Sequence, residues 1–195
     1  MLNYGAEAQK YFGHNTNALA NASLTADQLA LPAAYNAGMV KAVSFPSTMK
    51  QGVFYNNSGF ASRKPAISFE SAFCINYFFT PKYAPQNGIT LYYWNASAYN
   101  RAGVLTLTNA TGSIQLEGSG TGEYRGDITG IAAKNLSDAV YVAAVYENGG
   151  TTWTSGVLGY SIGSYCSSQA SKGGAIAGLA KATAVYGYYA KAYFG

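Results

Sequence analysis

Between about Met39 and Leu158 the apolar residues change from helical spacing to alternation, and this stretch limits the possible folds most. Val40 to Phe45, Val53 to Phe60, Ala66 to Thr80, Ile89 to Asn95, Val104 to Thr108, Ser113 to Glu117, Thr121 to Ile128, Val140 to Glu147 and Thr152 to Leu158 all read as strands. They are rich in Val, Ile, Thr, Tyr and Phe, which suit a pleated, half-buried surface, and Gly, Asn and Pro punctuate them. Asn87-Gly88 and Asn148-Gly149 are the strongest hairpin signals, because both residue types tolerate positive φ. Ile131 to Ser137, lying between two strands, reads as a compact crossover turn. Many short strands with tight turns predict an antiparallel β-sandwich of immunoglobulin or fibronectin type, mainly β with flanking helices, rather than a parallel sheet.

Helical patterns flank that stretch. Residues 1–12 read as a helix with Leu2, Ala8, Tyr11 and Phe12 apolar and Gly13 ending it. Thr25 to Gln28 fits a capping box, and the helix it opens must close before Pro32. At the other end Ile176, Leu179, Thr183, Tyr186, Ala190 and Tyr193 form one helical stripe, with Lys181 and Lys191 off it. Gly173-Gly174 separates this helix from the Ser161–Lys172 stretch, and Ala177, Gly178 and Ala182 permit close packing against a partner. Three segments follow: an N-terminal helical segment over 1–37, the sandwich over 38–160, and C-terminal helices packed on it over 161–195.

The two ends resemble each other. Tyr4/Tyr186, Gly5/Gly187, Ala8/Ala190, Tyr11/Tyr193, Phe12/Phe194 and Gly13/Gly195 match at one constant spacing. The simplest reading is a piece of a tandem array, starting inside one unit's closing helix and ending at the next, with neighbouring repeats as partners.

Composition removes several function classes. Only 10% of the residues are charged, 49% are hydrophobic and 15% aromatic, so the surface hydrogen-bonds without strong fields. The net charge of +4 comes from scattered lysines, which argues against nucleic acid. No apolar run approaches the roughly 20 residues of a membrane span, so no membrane insertion is expected. Met1 runs straight into helix-like sequence, so an exported parent would carry its signal outside this stretch. Cys74 and Cys166 allow one bridge, but two buried thiols are the simpler reading. Without paired-cysteine spacing and with a single histidine, neither zinc nor another metal or cofactor is expected.

Catalytic motifs are incomplete. Gly159-Tyr-Ser161-Ile-Gly163 matches a nucleophile elbow, but no histidine follows Ser161 and His14 lies far upstream. A hydroxyl with no base is a weak nucleophile, so Ser161 reads as a helix cap. Glu117, Glu123 and Asp127 are the only local acid cluster. A glycosidase needs two carboxylates about 5–9 Å apart, and acids on a hairpin are more simply solvated. The glycines near Gly118 lack the following Lys-Ser or Lys-Thr of a phosphate cradle. No catalytic residue is assigned. The N-x-S/T triplets at Asn21, Asn56, Asn95, Asn109 and Asn135 are chance in so Asn-rich a chain.

The constellation with most functional content is Thr90 to Asn95. Strand alternation sends Ile89, Leu91 and Tyr93 to the core and Thr90, Tyr92 and Trp94 to the opposite face. Tyr92 and Trp94 would then stand about 7 Å apart on a partly exposed surface. Apolar C–H faces of a sugar stack on such rings while amides and hydroxyls, here Asn95, Ser97, Tyr99 and Asn100, meet its rim. Trp153 in the last hairpin is a second candidate. The competing reading buries Trp94 in the sandwich and packs Tyr92 under a helix.

Residues 1–13, Leu19 to Asn21, Ile89 to Asn95 with Tyr99-Asn100, Gly130 to Lys134, and the Gly156–Tyr160 and Tyr186–Gly195 ending together resemble a repeat domain of large secreted or cell-surface proteins of gut clostridia, Ruminococcus-type. Some relatives of that group resemble starch-adherence proteins. The resemblance implies an extracellular, cell-surface setting and glycan capture, and it brings no catalytic residues. The expectation is a non-catalytic module that binds polysaccharide, with starch as one candidate, through Tyr92, Trp94, Asn95, Tyr99 and Trp153. The alternative is a structural spacer or protein-binding repeat of an adhesin, which would bury Trp94.

Overall fold

The computed structural model describes residues 35–46, 48–55, 58–69 and 72–195. The expected helix over 1–12, the Thr25 capping box and His14 lie outside the described residues. The described strands are β1 (Phe60–Ser68), β2 (Cys74–Pro81), β3 (Thr90–Asn95), β4 (Gly112–Gln115), β5 (Glu117–Gly118), β6 (Tyr124–Ile128), β7 (Val140–Asn148), β8 (Thr151–Thr154) and β9 (Leu158–Tyr160). Helix α1 is Ala96–Arg101, α2 is Ile162–Gln169 and α3 is Gly174–Phe194.

The strands form two antiparallel sheets, one ordered β1-β2-β6-β5 and the other β4-β3-β7-β8, with β9 also on β7. They face each other as a β-sandwich. Ile75, Tyr77 and Phe79 of β2 share one core with Leu91 of β3 and Val142, Ala144 and Tyr146 of β7. The every-other-residue spacing in all three strands is the strand period turned toward one face. The sheets come close at Gly126, where an added Cβ would lie 2.3 Å from Leu116 Cδ2 and 2.9 Å from Leu91 Cδ2. Tyr77 carries its hydroxyl into this core and donates it to the Val140 carbonyl at 2.9 Å.

The five-stranded sheet is covered on its other face as well. Trp94, Tyr141 and Ala143 join Phe54, Tyr99, Leu105 and Val157 in a second buried cluster, with Val43, Phe45 and Met49 against it. Lys50 ties this cover down: its ammonium accepts nothing and donates to the Tyr99 and Ala102 carbonyls at 2.9 and 2.7 Å, at the C-terminal end of α1. The four-stranded sheet instead shows a polar outer face, where Arg63 grips Glu123 and Arg125 grips Asp127.

Several expected strands differ. Val40 to Phe45 has no strand structure, and Val53 to Gly59 is irregular where it is described. Ala66 to Thr80 is two strands, with a break between Ser68 and Cys74. Val104 to Thr108 turns into a 3-10 helix at Leu107–Asn109. Asn87-Gly88 makes its left-handed turn (Gly88 φ 76°) but carries the chain from one sheet to the other, so β2 and β3 are not a hairpin. Asn148-Gly149 does lead a hairpin: Gly149 and Gly150 both have positive φ, as a two-residue type I′ turn requires. The expected crossover at Ile131 to Ser137 contains a short 3-10 turn, Ala133–Asn135, between β6 and β7 of opposite sheets.

Two irregularities shape the sheet edges. The outer strand opposite β7 is interrupted between β8 and β9 by one extra residue; Gly156 takes φ 70° and Ser155 Oγ accepts the Ala144 N–H at 2.9 Å. In β1 the register slips between Arg63 and Ala66, so Lys64 and Pro65 drop out of the ladder with β2.

The C-terminal helices follow their local signals. Ser161 caps α2, its Oγ accepting from Ser164 N at 3.0 Å. Gly173 and Gly174, both at positive φ, separate α2 from α3. Leu179, Thr183 and Ala190 of the expected stripe are buried, and Thr183 returns its hydroxyl to the Leu179 carbonyl at 2.8 Å. Tyr193 departs from the stripe and is 83% exposed. Among the described residues no helix is long and apolar enough to cross a membrane.

Helix α2 meets the crossover with no room to spare. A Cβ on Gly163 would lie 3.0 Å from Ser137 Cα and 3.1 Å from the Leu136 carbonyl oxygen, both backbone atoms. Gly163→Ala is therefore expected to destabilise by about 1–3 kcal/mol, against the gain of about 1 kcal/mol that alanine brings to an unobstructed helix. Urea melts that show a more stable variant would contradict this packing.

Candidate functional site

Tyr92 and Trp94 leave β3 on the face opposite Leu91, as alternation requires, but that face is not open. Trp94 is 0% exposed, its ring 5.1 Å from Phe54 in an edge contact, and its Nε1 donates to Asn109 Oδ1 at 3.0 Å. Asn109 is held in turn by its own Nδ2 donating to the Val104 carbonyl at 2.7 Å. Tyr92 is half-buried beside the same Phe54. Tyr99 is buried and stacks flat on Tyr141, ring centres 3.5 Å apart, while its hydroxyl accepts from Lys50 N. Asn95 is exposed and caps α1, accepting from Ala98 N at 2.8 Å. The expected exposed Tyr92–Trp94 platform is thus corrected, since Trp94 and Tyr99 belong to the second core. The cause is the upstream segment, whose Val43, Phe45, Met49 and Phe54 cover the sheet without regular structure of their own.

Trp153 lies elsewhere. It pairs with Tyr146 across the β7–β8 ladder and is partly buried at the edge of the main core. Tyr83, 39% exposed, rests against it with ring centres 4.9 Å apart and planes at 49°. The loop bearing Tyr83 is anchored: Tyr83 N donates to Tyr146 Oη at 3.2 Å, Gln86 N to the Glu147 carbonyl at 3.0 Å, and Asn148 Nδ2 to the Ala84 carbonyl at 3.0 Å. Lys82 Nζ stands 5.3 Å from the Tyr83 ring centre. The Trp153 Nε1–H is enclosed and has no acceptor among the described residues. Tyr83 was not singled out in the sequence. Its signal was an aromatic between Pro81 and Pro85, in a loop where no core position calls for one.

Of the groups that the sequence offers for bond-breaking chemistry, Ser161, Glu123 and Asp127 are engaged, while Glu117 is exposed on β5. Ser161 is fully buried, and among the described residues its Oγ bonds only Ser164. Both oxygens of Glu123 receive Arg63, which holds its carboxyl below the usual range. Asp127 is held by Arg125 and by Asn76 Nδ2 at 2.8 Å. Cys74 and Cys166 are free, buried thiols; burial pushes them up to about 11 and about 12. Among the described residues no three His, Cys, Asp or Glu side chains converge as a metal site would need.

No protein-family model and no curated protein matches this sequence. Among solved structures, the crystal structure of the Br derivative of BhCBM56, a carbohydrate-binding module, overlaps at 13% identity and a TM-score of 0.36, over 55% of this chain and 96% of that one. Overlap at that level assigns neither family nor ligand.

Two predictions follow from the buried groups. Trp94→Ala should destabilise the fold by about 3–5 kcal/mol, measured by urea unfolding; a loss below about 1 kcal/mol would mean that the second cluster is not packed. The thiols stay protonated in the folded chain, whereas the unfolded chain ionises them near 9.0. Their stabilisation is whole below about pH 9 and is lost as the pH climbs through the folded values. Thermal melts should show Tm falling above about pH 9, with the fall shallower in Cys166→Ala.

Proposed function

We propose that this chain is a non-catalytic, extracellular carbohydrate-binding module of a repetitive cell-surface protein. The observation that carries the reading is Tyr83, exposed and held by an anchored loop against Trp153. The two rings offer apolar faces to the C–H side of a sugar. Exposed Lys82, Gln86 and Asn87 stand on the same loop with groups that meet hydroxyls. A pre-positioned aromatic loses little freedom on binding, which favours contact at a shallow site. Glu123 and Asp127 in their arginine pairs, the capped Ser161 and the buried thiols support binding without turnover. Affinity per module is weak and is raised by repetition along an array of such units, the arrangement suggested by the match of Tyr4–Gly13 to Tyr186–Gly195. The gut-clostridial surface setting belongs to the same proposal.

A structural spacer or protein-binding repeat is the second reading, favoured by the complete burial of Trp94. Isothermal titration against soluble starch, xylan and β-glucan separates the two. The glycan reading expects binding to at least one of them, weakened about tenfold, or about 1.4 kcal/mol, by Trp153→Ala and by Tyr83→Ala. No binding to any of the three, or binding untouched by both substitutions, defeats it and leaves the spacer.

A further inference from the structure

A cleft of about 460 Å³ opens where β3 runs into α1 and where β6 turns towards β7, and it shares no lining residue with the Tyr83–Trp153 pair. Its size falls within the roughly 300–1,000 Å³ of small-ligand sites. Tyr93, Ile131 and Val140 give it apolar walls, and Asn95, Ser97, Thr129, Asn135 and Asp138 bring polar side chains to it. All five are exposed, so their free hydrogen-bonding groups face the cleft's solvent. Asn95 uses its Oδ1 to cap α1, which leaves its Nδ2 donors available. The side chains of Ser97, Thr129, Asn135 and Asp138 make no hydrogen bond or ion pair among the described residues. Backbone bonds nonetheless hold the frame, with Asn135 N donating to the Ala132 carbonyl at 2.8 Å and Asp138 N to the Asn135 carbonyl at 2.9 Å.

Apolar walls with hydroxyl, amide and carboxylate groups around them match a ligand that is apolar on its ring faces and hydroxylated at its rim. Charge narrows the class further. Asp138 is the one lining side chain that carries a charge, and no cation is bonded to it among the described residues. An acidic ligand would be repelled there, and an ammonium group would gain a partner.

We propose that this cleft binds a single hydroxyl-rich sugar residue and selects by charge, taking amino sugars over uronic acids, with Asp138 as the discriminating side chain. Asn95 and Asn135 bond the ring hydroxyls, and Tyr93 flanks the ring. The cleft acts independently of the aromatic pair, so this site and the polysaccharide surface can each stand or fall alone.

The test is NMR titration of the full chain with glucosamine, glucose and glucuronate separately, at about pH 6, where the amine is protonated. Glucosamine should shift the side-chain amides of Asn95 and Asn135 and bind about tenfold more tightly than glucuronate, the size of gaining one exposed ion pair and losing one repulsion. Asp138→Asn, an isosteric change at an exposed position, should bring that ratio to near one while leaving glucose affinity within about twofold. Trp153→Ala should leave the ratio unchanged. Absence of amide shifts with all three sugars overturns the proposal. So does equal binding of glucosamine and glucuronate by the wild-type chain, a ratio that survives Asp138→Asn, or one abolished by Trp153→Ala.

Discussion

Leu91 and Trp94 leave the same short strand in opposite directions, and both finish without exposed surface. A sheet apolar on both faces must be covered twice, and the rest of the molecule is arranged around that demand. The four-stranded sheet supplies one cover. The irregular segment carrying Val43, Phe45, Met49 and Phe54 supplies the other, together with α1. Burying an indole also buries an N–H, which must find an acceptor. Asn109 provides it from the 3-10 turn at Leu107–Asn109, so a turn that looks incidental is held in place by a tryptophan two elements away. The outer face of the four-stranded sheet carries the arginine–carboxylate pairs, beside the buried Cys74 and Asn76.

What was legible in the sequence was what neighbouring residues decide among themselves. The Asn148 hairpin, the Ser161 cap and the Gly173-Gly174 break each depend on a few consecutive positions, and each is present. The inward and outward sets of β3 were also readable, because a strand's period is two. Whether the outward set meets solvent is a different matter. It depends on Phe54 and its neighbours, some 40 residues upstream and without a period of their own. Asn87-Gly88 shows the same limit: the dipeptide specifies a left-handed turn but not which strand receives the chain afterwards. Val104 to Thr108 has strand-like residues, yet Thr106 and Asn109 bond each other reciprocally and close the backbone into a turn instead.

The candidate site follows that division. Trp153 stood out as one of two tryptophans, whereas Tyr83 becomes meaningful only when the loop between the two sheets is laid against the β7–β8 hairpin. The sequence points to Asn95 as a sugar contact beside a tryptophan that the structure places in the core. Its exposure survives, and it now faces a different set of neighbours, drawn from the crossover between β6 and β7. Residues from distant stretches meet at both places, and neither meeting is written in local spacing.

The slip in β1 has a consequence for crowding. Its outer side has no strand beside it among the described residues, and a free strand edge is a template for another chain. Proline at position 65 has no N–H to offer an added strand, the adjoining Lys64 brings a charge, and the register is broken at both. Where copies of the chain crowd together, an edge spoiled in this way gives an approaching strand no continuous row to zip against.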